Sequence, residues 1–240
     1  MSQKPFKFKQ FSIDQDRCAM KIGTDGVLLG TWSSLDHQPE SILDIGTGTG
    51  LIALMMAQRS DAELVDAIEI EENAYEQSVE NFEKSDWGDR LFCYHAGFDE
   101  FVDEMQDEEK YDLIISNPPF YSENYKTGDE NRDQARFADA LPLSELIPGA
   151  SLLLSENGHF DIIIPYAEEK KAIELAEKNN LFPIRITRVK GTESSPIKRS
   201  LISFGSTREK LIIDELILEI SRHNYTEEFK NLVRDFYLKL

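Results

Sequence analysis

A glycine-rich turn between an apolar segment and a helix-like segment constrains the fold of this chain more than any other feature. The turn reads Asp44-Ile45-Gly46-Thr47-Gly48-Thr49-Gly50. It continues the apolar run Ser41–Ile45 and precedes Leu51–Arg59, which has the composition of a helix. Glycines let the backbone turn tightly and let a ligand approach the main chain closely. The pattern therefore predicts a strand, a ligand-binding turn and a helix in succession.

The rest of the chain alternates short β-rich runs with longer amphipathic stretches. This alternation is typical of a mostly parallel sheet with helices on its two faces. Further strands are predicted over 64–70, 91–95, 111–116, 159–164, 182–189 and 200–204, and helices over 73–84, 98–105, 143–154 and 167–178. Residues 211–220 fit a strand or a helix, and 226–240 is predicted to be a terminal helix capped by Thr226. The polar stretch 190–198 is predicted to connect a hairpin.

The spacing of the glycine turn indicates which ligand it suits. Dinucleotide-binding turns favour G-x-G-x-x-G, with a pyrophosphate at the helix N-terminus, but here Leu51 stands at the last glycine position. Asp44 would repel a pyrophosphate and instead suits a ligand that carries an ammonium or sulfonium. Glu69 ends the next predicted strand, where an acid can accept hydrogen bonds from both ribose hydroxyls. The bland alternative is a glycine turn with an incidental surface acid.

The turn and Glu69 resemble the cofactor-binding elements of class I S-adenosylmethionine-dependent methyltransferases. The resemblance implies a Rossmann-like α/β fold with a mostly parallel central sheet, an antiparallel C-terminal hairpin strand and helices on both faces. It also implies an adenine contact after the third strand, where Phe98 could cover the ring and Asp99 could receive the amino group. Phe98 as an ordinary core residue is the open alternative.

The segment Ser116-Asn117-Pro118-Pro119-Phe120-Tyr121 follows the predicted strand 111–116. Ligands of open α/β sheets bind outside the carboxyl ends of the strands, so the segment is expected beside the glycine turn. A methylated arylamine needs positioning and acceptors for its N–H groups, which the Asn117 side chain and the Pro118 carbonyl could supply. Phe120 and Tyr121 offer faces for stacking on a planar group. An ordinary strand-end turn is the alternative.

This motif resembles that of amino-group methyltransferases that act on adenine N6, guanine N2 or glutamine N5. A nearer resemblance, to the bacterial tRNA1(Val) adenine-N6 methyltransferases, covers nearly the whole chain through Lys21-Ile22-Gly23-Thr24-Asp25-Gly26 and Tyr225-Thr226-Glu227-Glu228-Phe229. It implies methylation of the adenine 3′ of the anticodon, with catalytic residues Asn117, Pro118, Pro119 and Phe120. Phe120 and Tyr121 are implied to bind the substrate. The implied S-adenosylmethionine contacts are Thr24, Asp25, Asp44, Gly46, Thr47, Gly48, Gly50, Glu69, Phe98 and Asn117.

The charge of the chain departs from that of a typical RNA-binding protein. The formal net charge is -19 at pH 7, whereas phosphate binding requires clustered Lys and Arg. If RNA binds, the basic residues Lys4, Lys7, Lys9, Arg132, Arg136, Lys198 and Arg199 should line one face. The loop 121–136 is placed to close over a substrate as a lid.

Length and composition predict one domain over 1–240. The family resemblance implies that 1–35 forms an N-terminal extension that contributes to the cofactor site. The two cysteines and the scattered histidines predict a reduced, cytoplasmic protein without a metal site. No apolar run is long enough for a membrane helix, and the absence of a coiled-coil pattern favours a monomer. Three readings remain open beside tRNA adenine methylation: methylation of guanine N2 in ribosomal RNA, methylation of a protein glutamine, and a non-catalytic RNA assembly factor. An NAD oxidoreductase is disfavoured by the glycine spacing.

Overall fold

The computed structural model describes residues 4–108, 110–119 and 141–239. The strands are β1 Phe6–Lys7, β2 Ser12–Ile13, β3 Ser41–Ile45, β4 Leu64–Glu69, β5 Leu91–His95, β6 Tyr111–Ser116, β7 Leu154–Pro165, β8 Phe182–Lys190, β9 Ile197–Gly205, β10 Ile212–Ile217, β11 Glu219–Ser221 and β12 Asn224–Tyr225. The described helices are α1 Thr24–Trp32, α2 Leu51–Arg59, α3 Glu72–Glu83, α4 Phe98–Met105, α5 Leu143–Leu153, α6 Glu169–Lys178 and α7 Glu227–Val233, and a 3₁₀ turn spans Tyr166–Glu168.

Eight strands form the central sheet, in the order β10-β8-β9-β7-β6-β3-β4-β5. β3, β4, β5, β6 and β7 pair in parallel, β9 runs antiparallel to β7 and β8, and β10 pairs in parallel with β8. The sheet is therefore mostly parallel with one antiparallel hairpin strand, as the sequence predicts. The carboxyl ends of β3, β4, β6, β7 and β8 lie along one edge of the sheet, which we call the ligand edge.

Two apolar layers cover the sheet because neighbouring residues on buried strands point to opposite faces. Ile42 packs with α1, α2, α7 and the N-terminal segment, while Leu43 packs with α4, α5 and α6. Both faces of the central strands are buried, which explains their uninterrupted apolar sequence. No helix within the described ranges has the length and apolar character needed to cross a membrane.

The structure settles one ambiguous segment, differs from the sequence prediction at β7 and at the terminal helix, and adds the two-residue strands β1, β2 and β12. The ambiguous segment 211–220 forms β10 and β11 rather than a helix. β7 begins at Leu154, because Leu154 and His159 both pair with β6 across an irregularity in register. The terminal helix was predicted too long: α7 ends at Val233, and the chain then turns so that Phe236 and Tyr237 pack against Phe8.

Candidate functional site

Three glycines of the turn after β3 adopt left-handed backbone conformations. The φ angles are +71° at Gly46, +58° at Gly48 and +80° at Gly50, a region that other residues enter only with strain. Among the described residues, no atom lies within 4 Å of a Cβ built on Gly46 or Gly48, whereas a Cβ on Gly50 would lie 2.5 Å from Phe82 Cε1. Gly50 is therefore required for packing, and the other two border open space that a ligand can occupy.

The turn is attached to the end of β4 through backbone and side-chain hydrogen bonds. The N–H groups of Gly46 and Thr47 donate to the Ile68 carbonyl at 3.0 and 3.1 Å. The Glu69 carboxylate accepts from Gly48 N at 2.8 Å and from Glu71 N at 2.9 Å. Burial raises the pKa of Glu69. Each carboxylate oxygen has a further lone pair, so Glu69 can still accept hydrogen bonds from the two hydroxyls of a ribose.

Asp44 lies fully buried at the end of β3. Its Oδ2 accepts from Thr47 Oγ1 at 2.5 Å and from Ala53 N at 3.1 Å. Its Oδ1 is buried without a hydrogen-bond partner among the described residues. Burial raises the pKa of Asp44 to about 7. A buried acceptor without a partner is costly, and a cationic ligand or one with an N–H donor would relieve that cost.

An exposed apolar residue that the sequence did not single out lies directly after β4, next to the segment that follows β5. Ile70 directly follows Glu69, is 53% exposed, and its Cδ1 lies 3.9 Å from a Cβ built on Gly97. The sequence signal that could have identified it is an isoleucine between the two acidic residues Glu69 and Glu71 at the end of a strand. Phe98 lies instead in the core, where a Cβ built on Gly149 would be 2.4 Å from its ring. Phe98 thus has a packing role, and its contact with adenine stays a prediction.

Asn117 and Pro118 follow β6 at the ligand edge, directly beside the start of α1. Ser116 Oγ donates to the Ile45 carbonyl at 2.9 Å and ties this strand end to β3. A Cβ built on Gly26 would lie 3.8 Å from Asn117 Nδ2, an ordinary van der Waals distance that makes the two residues neighbours. Asn117 is half-buried and Pro118 buried. Pro119 completes the described part of the motif, and the predicted substrate residues Phe120 and Tyr121 lie outside the described residues.

The first turn of α1 brings two more predicted residues to this place. Thr24 is exposed at the start of the helix. The Asp25 carboxylate accepts a hydrogen bond from Arg199 Nε of β9 at 2.8 Å. Lys21 is less well placed, because its ammonium donates to the carbonyls of Gln15 and Cys18. The structure thus brings together the glycine turn, the start of α1 and Asn117.

A cavity of about 980 Å³ lies away from these residues. It is lined by the C-terminal ends of α1 and α2, including Trp32, Gln58 and Arg59, and by Arg185 of β8. These elements meet at the edge of the sheet opposite the ligand edge, and none of the predicted site residues contributes. Within the described residues there is also no group of three His, Cys, Asp or Glu side chains placed to hold a metal ion.

Comparison with known proteins gives the same fold and identifies the family. The Methyltransferase small domain family matches residues 22–178. A protein of Christiangramia forsetii, named tRNA1(Val) (adenine(37)-N6)-methyltransferase, is 82% identical over 240 residues, which is the whole of both chains. A protein of Flavobacterium johnsoniae with the same name is 61% identical over 98% of this chain and all of its own length.

Among solved structures, a protein of Agrobacterium tumefaciens described as a predicted O-methyltransferase superposes with a TM-score of 0.68 at 20% identity, covering 88% of this chain and 96% of its own. That likeness concerns the fold alone. The glycine turn with Glu69, the motif that begins at Asn117 and the full-length sequence matches agree with one another. This chain belongs to the tRNA1(Val) (adenine(37)-N6)-methyltransferase family of S-adenosylmethionine-dependent enzymes.

Proposed function

We propose that this chain transfers the methyl group of S-adenosylmethionine to N6 of adenine 37 in tRNA1(Val), the adenine 3′ of the anticodon. The observation that carries the proposal is the position of Asn117, at the end of β6 and beside Gly26 and the glycine turn. The names of relatives that are 82% and 61% identical over essentially the whole chain point to the same reaction.

The cofactor supplies an electrophilic methyl group, and the protein has to hold the adenine amine in line with it. The Asn117 side-chain oxygen and the Pro118 carbonyl oxygen would accept hydrogen bonds from the two N–H groups of the amine. These acceptors stabilise the positive charge that develops on N6 during transfer. Proline fixes the backbone angle φ at Pro118 and Pro119 and so keeps the second acceptor in place. Phe120 and Tyr121 are proposed to stack on the adenine.

The residues around the glycine turn fit S-adenosylmethionine by their chemistry. Gly46 and Gly48 border open space, and Glu69 would accept from the ribose hydroxyls. Asp44 offers an unpartnered acceptor and a negative charge to a cationic cofactor. Thr47 and Gly50 shape the same turn. Thr24 and Asp25 would contact the methionine part, and Ile70 with Phe98 would border the adenine.

We infer that residues 1–35 act as part of the same domain. Asp25 accepts a hydrogen bond from Arg199 of β9, and Gly26 is a neighbour of Asn117. We also propose that the enzyme acts as a monomer, which light scattering at the concentration of the activity assay would test.

The experiment compares wild type with Asn117→Ala and with Asn157→Ala, which removes an exposed asparagine at the opposite edge of the sheet. Radiolabelled S-adenosylmethionine and an unmodified tRNA1(Val) transcript are the substrates, and cofactor binding is measured separately. Asn117→Ala should lower kcat by about 10²-fold, the usual effect of deleting one polar group that stabilises a transition state. Cofactor affinity should fall much less than kcat, because Asn117 is one of ten implied cofactor contacts. Full activity of Asn117→Ala would contradict the proposal.

The alternatives predict other outcomes of the same assay. Label in guanine N2 of ribosomal RNA or in a protein glutamine would retain the mechanism and replace the substrate. Cofactor binding without transfer to tRNA, ribosomal RNA or protein would favour a non-catalytic assembly role.

A further inference from the structure

The basic residues of this acidic chain are concentrated in one stretch of the sequence. Residues 170–210 contain ten Lys and Arg and four Asp and Glu, a formal charge of +6, in a chain whose formal net charge is -19. This stretch comprises most of α6 together with β8 and β9. Five of these cations pair with carboxylates outside the stretch. The surface they form is therefore less repulsive to RNA than the rest of this acidic chain, without being strongly basic.

The topology brings part of this basic stretch to the ligand edge. β7 ends there at Pro165, which pairs with Arg199 near the start of β9. α6 then runs away from that edge, so its first turn, with Lys170 and Lys171, lies near it, and Lys178 lies at the opposite end of the helix. The side chains of Lys170 and Lys171 are 89% and 63% exposed, and Lys198 is also exposed.

A chain of contacts connects this area to the catalytic motif. Arg199 donates to Asp25, and Gly26, the next residue, lies against Asn117. The basic area therefore flanks Asn117 on the side of β7 and β9, whereas the cofactor residues lie on the side of β3 and β4. An adenine entering from the basic side would meet Asn117 before it met Glu69.

An exposed aromatic ring lies within this basic area. Tyr166 directly follows β7 and is 40% exposed. The Arg188 guanidinium carbon lies 5.5 Å from the centroid of the Tyr166 ring. Arg188 is itself held by Glu169, which accepts from its Nε at 3.1 Å and its Nη2 at 2.7 Å and also from Ser200. The ring is thus supported by a fixed cation and retains exposed surface on which a base can stack.

Lys9, one of the N-terminal lysines, does not belong to this surface. The Lys9 ammonium donates to the carbonyl of Arg234. The carbonyl of the next residue, Asp235, accepts a hydrogen bond from Gln58. Gln58 lies at the C-terminal end of α2, far from the glycine turn. Lys9 and the residues at the ligand edge therefore do not line one face, contrary to the sequence prediction. Arg132 and Arg136 lie outside the described residues.

We propose that Tyr166, Lys170, Lys171 and Lys198, here called the Tyr166 surface, bind the single-stranded nucleotides that adjoin the target adenine. Tyr166 stacks on a neighbouring base, as aromatic side chains do on single-stranded RNA. The three lysines bind phosphates, and the weak exposed ion pairs of Lys170 and Lys171 are readily exchanged for phosphate contacts. This proposal rests on the proposed function, since it takes tRNA as the substrate.

The test measures binding of the full-length protein to a fluorescent anticodon stem–loop RNA, and KM for the tRNA transcript. Tyr166→Ala should raise both Kd and KM about tenfold, whereas Tyr166→Phe should stay within about twofold of wild type because the ring is kept. The double variant Lys170→Gln/Lys171→Gln should reduce the slope of log K against log salt by about 1.4, at about 0.7 for each single-strand phosphate contact. Lys178→Gln, on the same helix, is the matched control and should leave the slope unchanged. Cofactor affinity should be equal in all variants, which shows that each is folded.

Two results would overturn the proposal. One is that Tyr166→Ala has the Kd and KM of wild type. The other is that Lys178→Gln reduces the slope of log K against log salt as much as the double variant does. Failure of the proposed function is distinguishable, because wild type itself would then neither bind nor methylate the RNA.

Discussion

Replacing Asp44 with asparagine removes one buried charge and retains the shape of the side chain. The asparagine oxygen can accept from Thr47 and Ala53 as Asp44 Oδ2 does, and the amide nitrogen takes the place of the unpartnered Oδ1. Burial raises the pKa of Asp44 from 3.8 to about 7. At about 1.4 kcal/mol for each pKa unit, the ionised carboxylate destabilises the free enzyme by up to about 4 kcal/mol.

The sign of the pH dependence follows from proton counting. Between pH 3.8 and about 7 the folded protein holds a proton on Asp44 that the unfolded chain has released. The contribution of Asp44 to the unfolding free energy therefore falls as pH rises through this window, and the loss is complete above it. Asp44→Asn lacks this contribution. The variant should thus be more stable than wild type at pH 8 and should lose that advantage as pH falls toward 4.

The assay is urea unfolding of both proteins at several pH values from 4.5 to 8.5, analysed as the difference between them so that other titrating groups cancel. Titration with S-adenosylmethionine supplies a second readout. Wild-type affinity should increase from pH 6 to pH 8 as Asp44 ionises, while the affinity of Asp44→Asn should be lower and less dependent on pH. A stability difference that is constant over the whole pH range would refute the raised pKa.

Three further substitutions test the site and its supports. Gly50→Ala should lower the unfolding free energy by about 2–4 kcal/mol in a denaturant titration. The reason is that Gly50 has a φ of +80° and that the new Cβ would lie 2.5 Å from the Phe82 ring. Unchanged stability would contradict the described turn. Glu69→Gln should weaken cofactor binding about tenfold, as measured by calorimetry. The amide has one acceptor oxygen, so it can accept a hydrogen bond from Gly48 N or from Glu71 N, whereas the carboxylate accepts from both. Equal affinity would show that Glu69 does not contribute to the cofactor site. Thr226→Ala should lower the unfolding free energy by about 1 kcal/mol, because the hydrogen bond from Phe229 N to the capping Thr226 hydroxyl is lost. The kcat should be unchanged. A loss of activity without a loss of stability would show that this segment has a role beyond packing.

The central sheet was predictable from the sequence because its strands are short, apolar and followed by helices with a different periodicity. β3, β5, β6, α2 and α4 have the predicted bounds. The peripheral elements were not predictable, since their formation depends on partners distant in sequence. β10 is a strand because it pairs with β8, although Ile212 and Ile213 remain more than half exposed. The two-residue strands β1 and β2 have too few residues for any periodicity to show.

The cofactor turn was predictable because its glycines, Asp44 and Glu69 form a local pattern with characteristic spacing. The position of Phe98 was not, because an aromatic residue after a strand can face either the ligand or the core, and only its packing on Gly149 decides between them. The pair formed by Asp25 and Arg199 spans 174 residues of sequence. No local signal could have shown that β9 reaches the start of α1.

The most direct test of the account is to identify the nucleoside that the enzyme produces. Unmodified tRNA1(Val) transcript is incubated with the protein and S-adenosylmethionine, cut with a specific nuclease, and the fragments are analysed by mass spectrometry. The account predicts N6-methyladenosine in the fragment that carries the adenine 3′ of the anticodon, and its near absence with Asn117→Ala. A methyl group on another nucleoside or at another position of the tRNA, formed at comparable rates by wild type and Asn117→Ala, would contradict it.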